Sequence, residues 1–359
     1  MPNASSPLRH PAPARKALII GALGQDGSYL TELLLGRGYA VVGTTHRDPA
    51  SLARPYPGEL RQLDLGRFDQ VSALIEEQQP DEIYNLGALA SSAHLFDEAI
   101  VSGDINGLAA TRILEAILQF SPRSRFCQAL SSEIFANSTT SPQNESTPVA
   151  PSNAYGAAKT YALHMLGAYR SHQKLFACGA ILYNHESPRR PAHFVTRKVT
   201  LGAARIALGA RETLQLGSAD HRRDWGHARD HVRAMHLMLQ HDVPEDFVVA
   251  TGITHSVAEL CEIAFGIVGL DFRQHVSFQP HIERRQELHE LRGDPSKARQ
   301  HLGWQAEVTF RELIREMVEF DLEQLRHDAR LTRPNPHHEH PSHEAGSPAH
   351  EPSAPRLRR

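Results

Sequence analysis

A chain of 359 residues can bury one large core or two unequal ones, and 40% hydrophobic with 22% charged residues is the composition of a globular enzyme, not of a disordered, fibrous or membrane-embedded chain. A net charge of −3 removes the electrostatic case for nucleic-acid binding and leaves a small-molecule partner as the expectation. Cys127, Cys178 and Cys261 are too few and too scattered for a disulfide framework or a zinc knuckle. With no signal-peptide core in residues 1–15 and no membrane-length apolar run, a cytoplasmic location without membrane contact is expected.

Residues 1–15, rich in Pro, Ala and Ser, read as a disordered arm. Residues 17–22 (Ala-Leu-Ile-Ile-Gly-Ala) then form an apolar run ending at glycine, as a buried parallel strand does, and Asp26–Leu35 reads as a helix closed by Gly36 and Gly38. Between them Gly21, Gly24 and Gly27 have the spacing of a dinucleotide-binding turn, in which glycines let backbone N–H groups approach a pyrophosphate at a helix N-terminus. A second strand at Ala40–His46 ends in His46-Arg47. An acidic residue there would bind a ribose 2′-hydroxyl, whereas arginine favours a 2′-phosphate and hence NADP. Asp64 and Leu65, at the end of a third strand, are placed to meet the adenine.

Apolar runs at Glu82–Ala88, Arg125–Ser131 and Phe176–Asn184 alternate with helical stretches at Phe68–Gln79, Glu98–Gln119 and Tyr155–His172. That alternation predicts an α/β fold, a doubly wound parallel sheet of the Rossmann type. Tyr155 and Lys159, four apart on one helix face, form the pair in which an ammonium favours the phenolate and lets the tyrosine take a hydroxyl proton as hydride leaves the same carbon.

Past Asn184 the pattern loosens, and a helix followed by a buried strand at Phe247–Ala250 returns toward the first sheet. The expected division is therefore interleaved. Residues 16–184 plus about 225–253 form the cofactor-binding domain, and about 185–224 plus 254–326 form a smaller mixed α/β substrate domain. From His327 the sequence is Pro-, His- and Glu-rich with almost no large apolar side chain, so residues 327–359 read as a disordered tail. Its histidines at 337, 338, 340, 343 and 350 could take a metal, but a solvated low-complexity tail is the plainer reading, and no metal site is expected.

Five strings carry a resemblance: Gly24-Gln25-Asp26-Gly27-Ser28-Tyr29-Leu30, Tyr155-Gly156-Ala157-Ala158-Lys159, Asn184-His185-Glu186-Ser187-Pro188-Arg189-Arg190, Phe194-Val195-Thr196-Arg197-Lys198 and Arg223-Asp224-Trp225-Gly226-His227. Together they resemble the GDP-mannose 4,6-dehydratase family of extended short-chain dehydrogenases/reductases, over about residues 16 to 325. The resemblance implies a catalytic group of Ser131, Glu133, Tyr155 and Lys159. It implies NADP contacts at Gly21, Gly24, Gln25, Asp26, Gly27, Arg47, Asp64, Leu65, Leu86, Lys159, His185 and Arg190. It places Asn184, Val195, Lys198, Arg223, Arg284 and Glu287 around a GDP-sugar, and it implies a homo-oligomer, dimer or tetramer.

The implied reaction oxidises C4 of the sugar, eliminates the 6-hydroxyl as water and returns hydride to C6, so that the cofactor ends as it began. Related dehydratases of GDP-heptose, reductases of the 4-keto product and a non-catalytic cofactor-binding paralogue are the alternative readings. Departures from the family pattern include Ile20 and Leu23 for threonines in the glycine turn, and Leu130 for a serine. Ala136 replaces a glycine, Leu89-Ala90-Ser91 stands in place of Gln-Ser-His, and Arg285 in place of a proline. The segment between Arg47 and Asp64 is short.

Overall fold

The computed structural model describes residues 14–52, 54–89, 98–279 and 290–331. Its centre is one parallel sheet of seven strands. In chain order the first six are β1 (Lys16–Ile20), β2 (Ala40–Thr45), β3 (Glu59–Gln62), β4 (Glu82–Asn85), β5 (Arg125–Ala129) and β6 (Ala177–Leu182). A seventh, Phe247–Val249, comes from far down the chain and pairs in parallel with β6, Val248 opposite Ile181. Across the sheet the order is Phe247–Val249, β6, β5, β4, β1, β2, β3. The strand order reverses between β1 and β4, and the crevice beyond their C-terminal ends is where such sheets bind ligands.

Strand side chains alternate faces, so each apolar strand feeds two cores. Ala17 and Ile19 pack on the face covered by α1 (Gln25–Gly36) and a helix at Ala228–Gln240, against Leu30, Leu34, Val232 and Met235. Leu18 and Ile20 point the other way, into a core with Val71 and Leu74 of α2 (Phe68–Gln78), and with Ile113 and Leu114 of the stretch Ala99–Phe120. That stretch is α3 (Ala99–Gly103), a π-helical segment at Asp104–Leu108 and α4 (Ala109–Phe120). Helix α5 (Ala154–Ala168) follows on the same face and contributes Ala162 and Leu166.

The remaining elements build a third core, beside the C-terminal edge of the sheet. Val199 and Ala203 of α6 (Val195–Ala207) meet Leu260 and Phe265 of a helix at Val257–Ile267, together with Leu313 and Met317 of the terminal helix Phe310–Leu331. Asp321 on that last helix is buried and pairs with Arg197, while Thr200 Oγ1 donates to its other oxygen at 2.9 Å. The helix continues to Leu331, five residues into the stretch that composition assigns to the tail. Short paired strands support this region. Arg222–Arg223 lies between His255–Ser256 and Glu290–Leu291, and Leu214–Leu216 runs beside Val276–Phe278.

One buried carboxylate ties this region to the sheet. Asp224 accepts hydrogen bonds from Thr251 N (2.8 Å), Thr251 Oγ1 (2.6 Å), Gly252 N (2.9 Å) and Gly293 N (3.3 Å). Burial raises its pKa to about 6 despite those four donors. Among the described residues no helix is long and apolar enough to cross a membrane.

Candidate active site

The C-terminal ends of the parallel strands and the third core enclose a cleft of about 730 Å³. On its floor the glycine turn behaves as its spacing predicts. Gly21 adopts φ +82°, a left-handed conformation, and a Cβ there would come within 2.9 Å of the Gly87 backbone nitrogen. Gly24 caps α1 without any side-chain hydrogen bond, so the first N–H groups of the helix open on the cleft, an arrangement suited to a pyrophosphate.

Gln25 and Asp26 do more than continue the turn. Gln25 Nε2 donates to the His185 carbonyl at 3.1 Å, and Ser187 Oγ donates to Gln25 Oε1 at 2.8 Å. Asp26 Oδ2 lies 2.8 Å from His185 Nε2, and His185 Nδ1 lies 2.7 Å from the Tyr183 carbonyl. Burial works against the Asp26 charge, yet the attraction of His185 and Arg190 holds its pKa down to about 2. Burial likewise opposes a charge on His185, and Asp26 overcomes it, raising the imidazole pKa. A carboxylate that would repel a diphosphate at this helix end is thus paired with a cation. His185 also stacks on His231, with centroids 4.6 Å apart. The Arg190 guanidinium lies 3.5 Å from the centre of the Phe194 ring, with Nε 3.1 Å from Glu186.

The second group lines the same cleft. Ser131 caps a short 3₁₀ turn after β5, Ser132–Phe135, and its Oγ accepts from Glu133 N at 3.2 Å. Asn153 caps α5 and brings Tyr155 and Lys159 beside that turn. Asn153 Nδ2 donates to Glu133 Oε2 at 2.8 Å.

Tyr155 is half-buried and lines the cleft. Desolvation pushes its phenol up to about 12, against the lowering effect of a hydrogen bond with Ser131 and with a smaller rise from Glu133. The expected depression of the phenol by Lys159 is therefore not found. The ammonium lies 5.7 Å from the Tyr155 ring centre and donates instead to the Ala129 carbonyl at 2.8 Å, so burial outweighs it.

Burial lowers the Lys159 pKa to about 8, and only 1% of its surface is exposed. Between about 8 and 10.5 the unfolded chain holds a proton that the folded chain has released, so stability rises with pH across that window. The full increment is about 3 kcal/mol. Lys159→Met should lack this slope, and urea denaturation of the ligand-free proteins at about pH 7 and about pH 10 reads it directly. Identical slopes for the two proteins would mean that Lys159 is not desolvated.

The cleft gathers most of the residues singled out in the sequence. Gly21, Gly24, Gln25, Asp26, Gly27, Leu86, Ser131, Glu133, Tyr155, Lys159, Asn184, His185, Arg190, Val195, Lys198 and Arg223 all line it. Lys198 Nζ donates to the Gln215 carbonyl at 2.6 Å, and Arg223 Nη1 to the Arg222 carbonyl at 2.8 Å. Arg47, Asp64 and Leu65 are not among its lining. Arg47 is exposed just beyond β2, Asp64 is exposed and accepts from Gly66 N at 2.8 Å, and Leu65 is buried. Arg284 and Glu287 lie outside the described residues.

Asn153 escaped the sequence reading. The available signal was an Asn directly before an Ala-rich helix, a common N-cap, but a cap does not announce a second bond to a residue twenty positions back.

Residues 18–317 match the family model for GDP-mannose 4,6 dehydratase. GDP-mannose 4,6 dehydratase of Cricetulus griseus is 41% identical over 90% of this chain and 94% of its own length. GDP-mannose 4,6-dehydratase of Vibrio cholerae is 38% identical over 88% and 96%. Among solved structures, dTDP-glucose 4,6-dehydratase of Bacillus anthracis in complex with NAD shares the fold. Its TM-score is 0.75 at 19% identity, covering 87% of this chain and 98% of that one. With the family model spanning the sheet, the cleft and the third core, the chain belongs to the GDP-mannose 4,6-dehydratase family.

Proposed function

We propose that the protein converts GDP-mannose to GDP-4-keto-6-deoxy-mannose with NADP bound. One observation carries the reading. Ser131, Glu133, Tyr155 and Lys159 converge in a single cleft, between a glycine turn and the cationic side chains of Lys198 and Arg223. NADP, when bound, supplies a hydride acceptor whose hydride returns to the same sugar. The glycine turn, the open end of α1, His185 and Arg190 would hold it, with Arg47 beyond β2 meeting the 2′-phosphate and Asp64, Leu65 and Leu86 around the adenine side.

The residues divide the proton work. Tyr155 accepts the proton of the 4-hydroxyl as C4 is oxidised. The C4 ketone acidifies the neighbouring C–H, and Glu133 removes the C5 proton. The 6-hydroxyl departs as water on receiving a proton from Glu133 or Ser131. A reductase would have no need of a base at position 133. Asn184, Val195, Lys198 and Arg223, with Arg284 and Glu287, are assigned to the nucleotide sugar.

The chain is further read as two interleaved domains, 16–184 plus about 225–253 for the cofactor and about 185–224 plus 254–326 for the sugar nucleotide. We place it in the cytoplasm, where the buried thiols of Cys127, Cys178 and Cys261 stay reduced. Ile100, Val101, Leu108 and Tyr161 are exposed on α3, the π segment and α5, and such an apolar face suits a homo-oligomer.

Incubation with GDP-mannose and no added reductant should yield a product lighter by one water in the mass spectrum. A requirement for added NADPH would instead make the protein a reductase. Nucleotide released by denaturation should be NADP or NADPH, and Arg47→Ala should weaken NADP by about 1–3 kcal/mol while sparing NAD. Recovery of NAD alone would overturn the assignment of Arg47.

A further inference from the structure

We propose that Asn153 is a positioning residue for the eliminating base, holding the Glu133 carboxylate in register with Tyr155. The inference rests on the assignment of Glu133 as the base at C5.

The orientation of the Asn153 amide is fixed by its partners. The backbone N–H of Gly156 can only donate, so the atom 2.8 Å away must be the amide oxygen, Oδ1. The other end of the same planar group is then the NH₂, and it faces Glu133 Oε2 at 2.8 Å, where it donates to the carboxylate. One side chain therefore performs two tasks. Its oxygen closes the first turn of the helix that carries Tyr155 and Lys159, and its nitrogen holds one oxygen of the base.

Glu133 is restrained at its other atoms as well. Ser131 Oγ accepts from its N–H at 3.2 Å. Its carbonyl abuts α5 so closely that a Cβ at Gly156 would stand 2.6 Å from the oxygen. Backbone bonds from Ala150 N to the Ile134 carbonyl (2.7 Å) and from Asn137 N to the Ala150 carbonyl (2.7 Å) pin the 3₁₀ turn to the segment that leads into α5. Asn153 itself is buried, 9% exposed, so water does not readily replace its amide. Without the amide the Glu133 backbone stays fixed while its side-chain torsions are released. The base is then lost as an oriented group although the fold survives. Proton abstraction at C5 depends on that orientation, whereas oxidation at C4 uses Tyr155 and Lys159 and does not.

Two substitutions separate cap from clamp. Asn153→Ser keeps a good N-cap oxygen for Gly156 N but is too short to donate to Glu133, and Asn153→Ala loses both functions. With GDP-mannose as substrate, Asn153→Ser should melt at the wild-type temperature and keep KM within about twofold. Turnover should fall by about 10–100-fold, a part of the loss expected for removing a positioned base outright. Deuterium wash-in at C5 should fall with it, while reduced cofactor accumulates in a single turnover. Asn153→Ala should additionally melt lower and slow the hydride step.

If Asn153→Ser turns over and exchanges C5 hydrogen like the wild type, Asn153 is only a helix cap and the inference is wrong. If Asn153→Ser slows both steps equally, with no reduced cofactor accumulating, its role is structural and the inference is again wrong. Failure of the underlying reading looks different, since the wild-type protein would then release no water from GDP-mannose.

Discussion

Glu133→Gln is expected to lower dehydration by about 10²–10⁴-fold, the usual cost of removing a positioned general base, while leaving nucleotide-sugar and cofactor binding close to wild type. The amide has nearly the shape of the carboxylate and retains an oxygen that can accept from Asn153 Nδ2, so the 3₁₀ turn and the cap of α5 have no reason to move. Only the capacity to take a proton from C5 disappears. In the proposed mechanism oxidation at C4 draws on Tyr155 and Lys159, both intact, so single-turnover absorbance in the reduced-nicotinamide band should rise and stay up. Nearly full dehydration by this variant would make position 133 an ordinary loop residue and end the assigned mechanism.

Tyr155→Phe should produce a loss of similar size, about 10²–10⁴-fold, but at the earlier step. Burial pushes the phenol up to about 12, and Ser131 only partly offsets it. In the proposed mechanism the hydroxyl takes the proton of the 4-hydroxyl, while the Lys159 ammonium donates to the Ala129 carbonyl at 2.8 Å. Phenylalanine fills the same half-buried position, so the fold should change little. No reduced cofactor should appear in a single turnover. Absorbance that rose as in Glu133→Gln would show that another group takes the C4 proton. The two variants together locate each residue on one side of the hydride transfer.

The sheet and the glycine turn were legible in the chain because both follow from local rules. Alternation of Ala17, Leu18, Ile19 and Ile20 between two cores needs only the period of a strand, and φ +82° at Gly21 needs only a residue without a Cβ. The Tyr155/Lys159 pair follows from helix spacing in the same way. Interruption of Ala99–Phe120 by a π-helical segment, and the run of the last helix to Leu331, have no comparable local signature.

The electrostatics of the site belong to the tertiary structure alone. Proximity along α5 suggested that Lys159 would act on the Tyr155 phenol, but the depth of the site and the Ala129 carbonyl, thirty residues away on β5, decide where the ammonium goes. Asp26 reads in the sequence as part of a phosphate turn. Only the arrival of His185 from beyond β6 makes it one half of an ion pair. Asn153 went unremarked in the sequence, and only the fold lays Glu133 against the far end of its amide. Sequence alone determined the strands, the turn and the family, because periodicity and motif are properties of neighbouring residues. Charge state and orientation depend on desolvation and on partners brought from distant segments, and those exist only once the chain has closed on itself.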